Sequence, residues 1–146
     1  MKKITSVIAI VLLAALLLTG CDFIPLKKDF SQYGFTFTIA GKVTEKEGNE
    51  FGNATFTTKY GEMTFAKQLS AGVTEIFLMG AKYKEPLDNG ATFYTFAAND
   101  GMIKTCYLIE IADGSAWLIS CNTPEADFDA DAIERVYTSV EFVTAQ

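Results

Sequence analysis

Residues 102–123 read MIKTCYLIEIADGSAWLISCNT, and this stretch decides the fold. Two runs rich in apolar and β-forming residues flank Asp113-Gly114, a pair typical of tight hairpin turns. A third run ends at Asn99-Asp100-Gly101, a turn signal of the same kind. The sequence therefore predicts a three-stranded antiparallel meander, with strands at residues 92–98, 102–112 and 115–123.

The last two strands of this meander are apolar on both faces. In the first of them, Tyr107 and Ile109 face one way while Cys106 and Leu108 face the other. Strands with this composition lie at the centre of a sheet that is covered on both sides. We therefore expect packing layers above and below the meander.

Cys106 and Cys121 fall on these two strands. A two-residue turn at Asp113-Gly114 would place the two cysteines directly opposite each other. Opposed residues on antiparallel strands lie about 4.5–5.5 Å apart, within the range of a disulfide. We predict a structural disulfide between them, with two buried thiols as the alternative.

Upstream segments supply further strands. Residues 34–40 alternate strictly, with Phe35, Phe37 and Ile39 on one face, and predict a strand. Residues 54–60 and 63–69 predict a hairpin across Gly61-Glu62, which places Tyr60 opposite Met63 and Thr58 opposite Phe65. Residues 41–52 are polar and bounded by glycine, which indicates a loop.

Two segments have helical character. Residues 73–83 fit either a buried strand or a short helix capped by Thr74, and we favour the helix. Residues 127–137 predict a second helix, because acidic residues crowd its start. Its buried stripe is Ala132, Ile133, Val136 and Tyr137. A turn at residues 86–90 and a closing strand at residues 140–143 complete an α+β fold: an antiparallel β-sheet of about six strands with a few helices packed on its faces.

The amino terminus has the organisation of an export signal. Lys2 and Lys3 precede an apolar stretch at residues 4–18, which is too short for a permanent membrane span. The stretch ends in Leu18-Thr19-Gly20-Cys21, which resembles the lipobox of bacterial lipoproteins. This resemblance implies a lipoprotein signal peptide at residues 1–20 and acyl chains on Cys21, which anchor the protein to the bacterial cell membrane with its domain outside the cytoplasm.

The lipobox divides the rest of the chain. Residues 21–33 are expected to form a lipidated tether, because Pro25 and the mixed polarity argue against a regular element. Residues 34–146 form the globular domain. Lys27 and Lys28 either touch anionic lipid headgroups or belong to a solvated tether, and the second interpretation is favoured.

Composition excludes several kinds of function. The chain has 146 residues, a formal net charge of −6 and no histidine. It lacks the basic face of a nucleic-acid binder. The absence of histidine excludes catalysis that depends on histidine and metal sites built from histidine ligands.

The acidic segment 127–131 does not match a calcium-binding loop, because Ala132 and Thr138 stand where Gly and Glu are required. Glu125, Asp127, Asp129 and Glu134 could pair for acid–base chemistry, but solvated carboxylates are favoured. We therefore predict no catalytic residue, no metal site and no cofactor.

The mature sequence also resembles a known fold family. Residues 33–39 (YGFTFTI), the late hairpin, and residues 132–142 (AIERVYTSVEF) are similar to the opening strand, hairpin and closing helix of the PsbP/Mog1-like fold, which includes small bacterial lipoproteins of the DcrB type. The resemblance implies a central antiparallel sheet with helices on both faces. It also implies an accessory or binding role, since these proteins are mostly not enzymes.

These observations predict a membrane-anchored, non-catalytic binding or accessory module for an envelope protein. The alternative is an envelope hydrolase or small-ligand carrier that uses carboxylates or an aromatic pocket. An exposed apolar groove would favour the first function, and a deep pocket that holds two carboxylates with shifted pKa would favour the second.

Overall fold

The structure, a computed structural model, describes residues 23–48 and 53–143. It confirms the predicted α+β class: in the described ranges, strands form two antiparallel sheets and two α-helices accompany them. The strands are β1 Pro25–Phe30, β2 Phe35–Ala40, β3 Thr44–Gly48, β4 Ala54–Thr58, β5 Gly61–Gln68, β6 Tyr83–Pro86, β7 Thr92–Thr95, β8 Met102–Glu110, β9 Ala116–Pro124 and β10 Glu141–Phe142. The helices are α1 Ala71–Leu78 and α2 Ala130–Thr138.

The larger sheet has seven strands in the order β3-β4-β5-β9-β8-β7-β6. The smaller sheet has the order β1-β2-β10. The predicted meander is confirmed as β7, β8 and β9, and β9 is the middle strand of the larger sheet. Among the described residues, no helix is both long and apolar enough to span a membrane.

The main core lies between the two sheets and α2. Phe35, Phe37 and Ile39 of β2 all face it, as the alternation predicts. The rings of Phe35 and Phe65 stack across the two sheets with centroids 4.2 Å apart. The predicted stripe of α2 is also confirmed, because Ala132, Ile133, Val136 and Tyr137 are all buried.

A second, smaller core fills the opposite face of the larger sheet beneath α1. Its buried members are Ala71, Leu78, Tyr94, Cys106, Leu108 and Ala116. Side chains alternate along β8, so Tyr107 belongs to the main core while Cys106 and Leu108 belong to the second. The expectation of packing layers on both faces of the meander is confirmed.

The predicted cysteine pairing is wrong by one residue. The Ile111 amide donates to the Ser115 carbonyl at 2.8 Å, so three residues, not two, form the loop between β8 and β9. Cys106 therefore pairs with Ser120, and Cys121 pairs with Thr105. A shift of one residue moves a side chain to the other face of the sheet, and both cysteines are free thiols.

The hairpin between β4 and β5 also differs from the prediction. Thr58 pairs with Gly61 and Phe56 pairs with Met63, so the turn is Lys59-Tyr60 and Gly61 begins β5. Gly61 has φ +115°, and a Cβ there would lie 2.0 Å from the Asn122 carbonyl oxygen. Glycine is required at this position by the close approach of β9.

Two segments without apolar periodicity are strands. β1 occupies most of the expected tether and pairs with β2 from Pro25, opposite Ala40, to Phe30, opposite Phe35. β3 occupies the expected loop and pairs with β4. Both are edge strands, where proline and charged side chains are tolerated because one side of the backbone faces solvent.

Both predicted helices are present, but their first residues differ from the predicted ones. α1 is capped by Ser70, whose hydroxyl accepts from the Val73 amide at 3.4 Å, and not by Thr74. α2 begins after Asp129, whose carboxylate accepts from the Ala132 amide at 3.0 Å. The closing strand is confirmed as β10, which pairs with β2.

Candidate interaction surface

The acidic residues considered for catalysis do not converge on one site. Glu125 and Asp127 lie on an exposed 3₁₀ turn, and Asp129 caps α2. In the described ranges, no group of three or more carboxylates or cysteines has the geometry to hold a metal ion.

Glu134 instead lines a shallow cleft beside α2. The cleft has a volume of about 310 Å³, and Phe93 and Phe128 contribute apolar surface to it. Partial burial, together with the nearby charges of Glu85 and Asp131, raises the pKa of Glu134. Glu85 could not be predicted as a neighbour of Glu134 from the sequence, because no local pattern relates β6 to α2.

The two cysteines have the environment of structural residues. Burial raises the pKa of the Cys106 thiol to about 11, and burial also raises that of Cys121. Few thiolates form under these conditions, so nucleophilic chemistry is disfavoured. Cys21, the predicted lipid-attachment residue, lies outside the described residues.

The most unusual surface of the described domain is the outer face of α1. This face carries a row of large apolar side chains that no other part of the described chain covers. We call the row the α1 stripe; its members are Val73, Ile76 and Phe77 of the helix, together with Leu69 just before the helix and Met79 just after it. Phe77 is 79% exposed, although aromatic side chains are normally among the most buried in a domain.

The inner face of α1 holds the stripe in a fixed position. Ala71, Thr74 and Leu78 are buried against the larger sheet. The Ala71 amide donates to the Gly114 carbonyl at 3.2 Å, and the Thr74 hydroxyl donates to the Ser70 carbonyl at 2.8 Å. The helix is therefore held on the larger sheet by its buried face and by the hydrogen bond of Ala71, and the Thr74 bond stabilises its first turn.

Polar contacts lie beside the stripe, not within it. Glu75 is the only charged residue of α1, and Lys84 of β6 lies 3.7 Å from its carboxylate. The Tyr94 hydroxyl donates to the same carboxylate at 3.5 Å, and burial raises the pKa of this tyrosine. A polar border next to an apolar centre is the usual anatomy of a protein interface.

Sequence reasoning could not distinguish the two faces of α1. A helix that is apolar all round has no periodicity to show which side is covered, and such a helix is usually fully buried. Here tertiary packing covers one face only. The signal that the sequence did carry was the high apolar content of residues 73–79.

The comparisons with known proteins do not extend this picture. No protein-family model matches the chain, and no curated protein matches it significantly.

Proposed function

We propose that this protein is a lipid-anchored envelope lipoprotein whose domain binds another envelope protein through the α1 stripe, without catalysis. The exposure of Phe77, Ile76 and Val73 on one face of an anchored helix carries this proposal. Contiguous apolar patches of this kind on soluble domains mark interaction sites. An exposed apolar helix face of this kind can fit a groove on a partner protein, with its side chains spaced at helical intervals.

The arrangement of the two sheets supports the same function. β1, which follows the predicted lipid-attachment residue by a few positions, belongs to the smaller sheet on one face of the larger sheet. α1 covers the opposite face. A domain anchored through β1 would therefore present the α1 stripe away from its anchor. Helices on both faces of the larger sheet also agree with the PsbP/Mog1-like architecture, and membership of that family stays a prediction.

The lipid anchor is tested by acyl labelling. The parent chain is expected to incorporate a radiolabelled fatty acid and to stay in the membrane fraction, whereas Cys21→Ala is expected to lose the label and the membrane association. Cys106→Ala is the matched control and should keep both. An unlabelled parent, or a membrane-bound and processed Cys21→Ala variant, contradicts the anchor.

The partner site is tested with a photocrosslinking amino acid at position 77 in cells of the source organism. The control carries the same group at Asp88, an exposed loop residue. We expect a discrete adduct with an exported protein at position 77 only. The purified partner should bind the Phe77→Ser variant at least about tenfold more weakly than the parent, as for a central interface residue.

Two results would contradict this site. The first is an adduct between two copies of this chain, and the second is equal binding by the parent and the variant. Because Phe77 is mostly exposed, the Phe77→Ser variant should keep the melting temperature of the parent, so weaker binding would not reflect unfolding.

The cleft beside α2 supports the alternative, a carrier of a small organic cation or an envelope hydrolase. Aromatic surface next to the carboxylates of Glu85, Asp131 and Glu134 is suited to a positively charged ligand. The carrier function is tested by adding polyamines to the protein and recording the chemical-shift changes of its NMR signals. Chemical-shift changes that are confined to the residues of this cleft, and that disappear in Glu134→Gln, would favour the carrier function over the binding module.

A further inference from the structure

A second group of exposed apolar side chains lies just before β1 and at its start. Phe23 is 80% exposed, Ile24 is 58% exposed and Leu26 is 48% exposed. They lie two, three and five positions after Cys21, the predicted lipid-attachment residue. Leu26 belongs to β1 of the smaller sheet, and Phe23 and Ile24 directly precede that strand, whereas α1 covers the opposite face of the larger sheet.

The strand β1 leaves almost no tether. Pro25 already pairs with Ala40 in the smaller sheet, and only four residue steps separate Cys21 from Pro25. A fully extended chain of this length spans about 14 Å. An acylated Cys21 would therefore hold this end of the domain within that distance of the lipid headgroups.

Three cationic side chains belong to segments that lie next to Pro25. A cleft of about 340 Å³ next to Pro25 is lined by Tyr60 and Arg135. Lys59 precedes Tyr60 in the β4–β5 turn, with its ammonium 4.9 Å from the centroid of the tyrosine ring. Lys42 follows the end of β2 and is exposed. In a chain with a formal net charge of −6, three cations at one end are complementary to an anionic surface.

We propose that this end of the domain rests directly on the bilayer, with Phe23 and Ile24 inserted at the headgroup level and the three cations against anionic headgroups. The proposal depends on the lipid anchor of the proposed function. Apolar and aromatic side chains flanked by Lys and Arg are the pattern of a peripheral membrane contact. A domain held in this way has a fixed orientation, with α1 on the face directed away from the smaller sheet.

The orientation is tested with the full-length, lipidated protein in vesicles of phosphatidylcholine and phosphatidylglycerol that contain brominated lipid, which quenches nearby tryptophan. Trp117, the natural tryptophan, is buried and gives the baseline. Phe23→Trp adds a probe at the proposed contact, and Phe77→Trp adds a matched probe, because these two phenylalanines are almost equally exposed. Flotation of each variant with the vesicles is measured in parallel.

We expect the added emission of Phe23→Trp to fall by roughly half or more, as for a group located at the acyl boundary. The brominated lipid should leave the added emission of Phe77→Trp unchanged. Replacing phosphatidylglycerol with phosphatidylcholine should reduce the quenching of Phe23→Trp, since the cations lose their counter-charges.

Three results would overturn the proposal. Protein that floats with the vesicles while Phe23→Trp stays unquenched would show an anchored domain that stands clear of the bilayer, and the lipid anchor itself would be unaffected. Quenching of Phe77→Trp to the same degree would show that no fixed face meets the lipid. Protein that does not float would contradict both this contact and the anchor.

Discussion

Cys106 and Cys121 stand on neighbouring antiparallel strands, but their thiols lie on opposite faces of the seven-stranded sheet. Cys106 packs beneath α1 in the second core, and Cys121 packs in the main core. Thr105 is the residue that faces Cys121 across the ladder. The sheet itself therefore separates the two sulfur atoms.

We predict that the protein contains no disulfide between these residues. After denaturation without a reductant, iodoacetamide should modify both cysteines, and the peptides that contain them should each gain one carbamidomethyl group by mass spectrometry. In the folded protein the reaction should be slow, because both thiols are buried and the pKa of Cys106 is about 11. A disulfide-linked pair of peptides would contradict the register.

A single loop residue decides between the two registers. Asp113-Gly114 is compatible with a two-residue turn and equally with the last two positions of a three-residue loop. The Asp113 carboxylate accepts from the Ser115 amide at 2.9 Å and from the Ser115 hydroxyl, which stabilises the longer loop. Sequence pattern predicts that a hairpin exists here, but this side-chain contact sets the register.

The parts of the fold that the sequence predicts well have strong local periodicity. β2 alternates, and α2 repeats its apolar residues at helical spacing, so each reveals its buried face without knowledge of its partners. β1 and β3 are edge strands without apolar alternation, and each is recognised only by its pairing with β2 or β4. The α1 stripe could not be predicted for a different reason. The helix has apolar residues on both its buried and its exposed face, so its sequence does not show which face is covered.

Gly61→Ala is expected to lower the free energy of unfolding by about 2–4 kcal/mol, because its Cβ would meet the Asn122 carbonyl and its φ disfavours L residues. Gly90→Ala is the matched control. Gly90 also has a positive φ, but no atom lies within 4 Å of its Cβ position. Gly90→Ala should lower the free energy of unfolding by only about 1–2 kcal/mol. Urea denaturation measures both, and equal losses would contradict the close approach of β9.

Thr105 and Tyr137 share a buried hydrogen bond between their hydroxyl oxygens, at 3.0 Å. Tyr137→Phe leaves the Thr105 hydroxyl without this partner, and we expect a loss of about 1–3 kcal/mol. The double variant Thr105→Val/Tyr137→Phe removes both polar groups and should cost less than the sum of the single changes. Strict additivity in a double-mutant cycle would show that the two hydroxyls do not interact.

Lys27 and Glu141 connect β1 to β10 by an ion pair with an N–O distance of 2.5 Å. The hydrogen bond and charge of Lys27 lower the pKa of Glu141. A carboxylate with a lowered pKa contributes stability above its unfolded pKa, and this contribution is lost as the pH falls through the folded pKa. In Lys27→Gln, an NMR titration should show the pKa of Glu141 raised toward its ordinary value. Lys28→Gln is the control and should leave it low.

Asp129, not the neighbouring Asp127, determines where α2 begins. Its carboxylate accepts the Ala132 amide at 3.0 Å, whereas Asp127 belongs to the preceding 3₁₀ turn. Asp129→Ala should therefore lower the free energy of unfolding by about 1 kcal/mol, the usual cost of a lost helix cap. Asp127→Ala removes the same charge but keeps the cap, so its free energy of unfolding should fall less than that of Asp129→Ala. Thermal denaturation distinguishes the two, and a larger effect at position 127 would place the start of the helix earlier in the acidic segment.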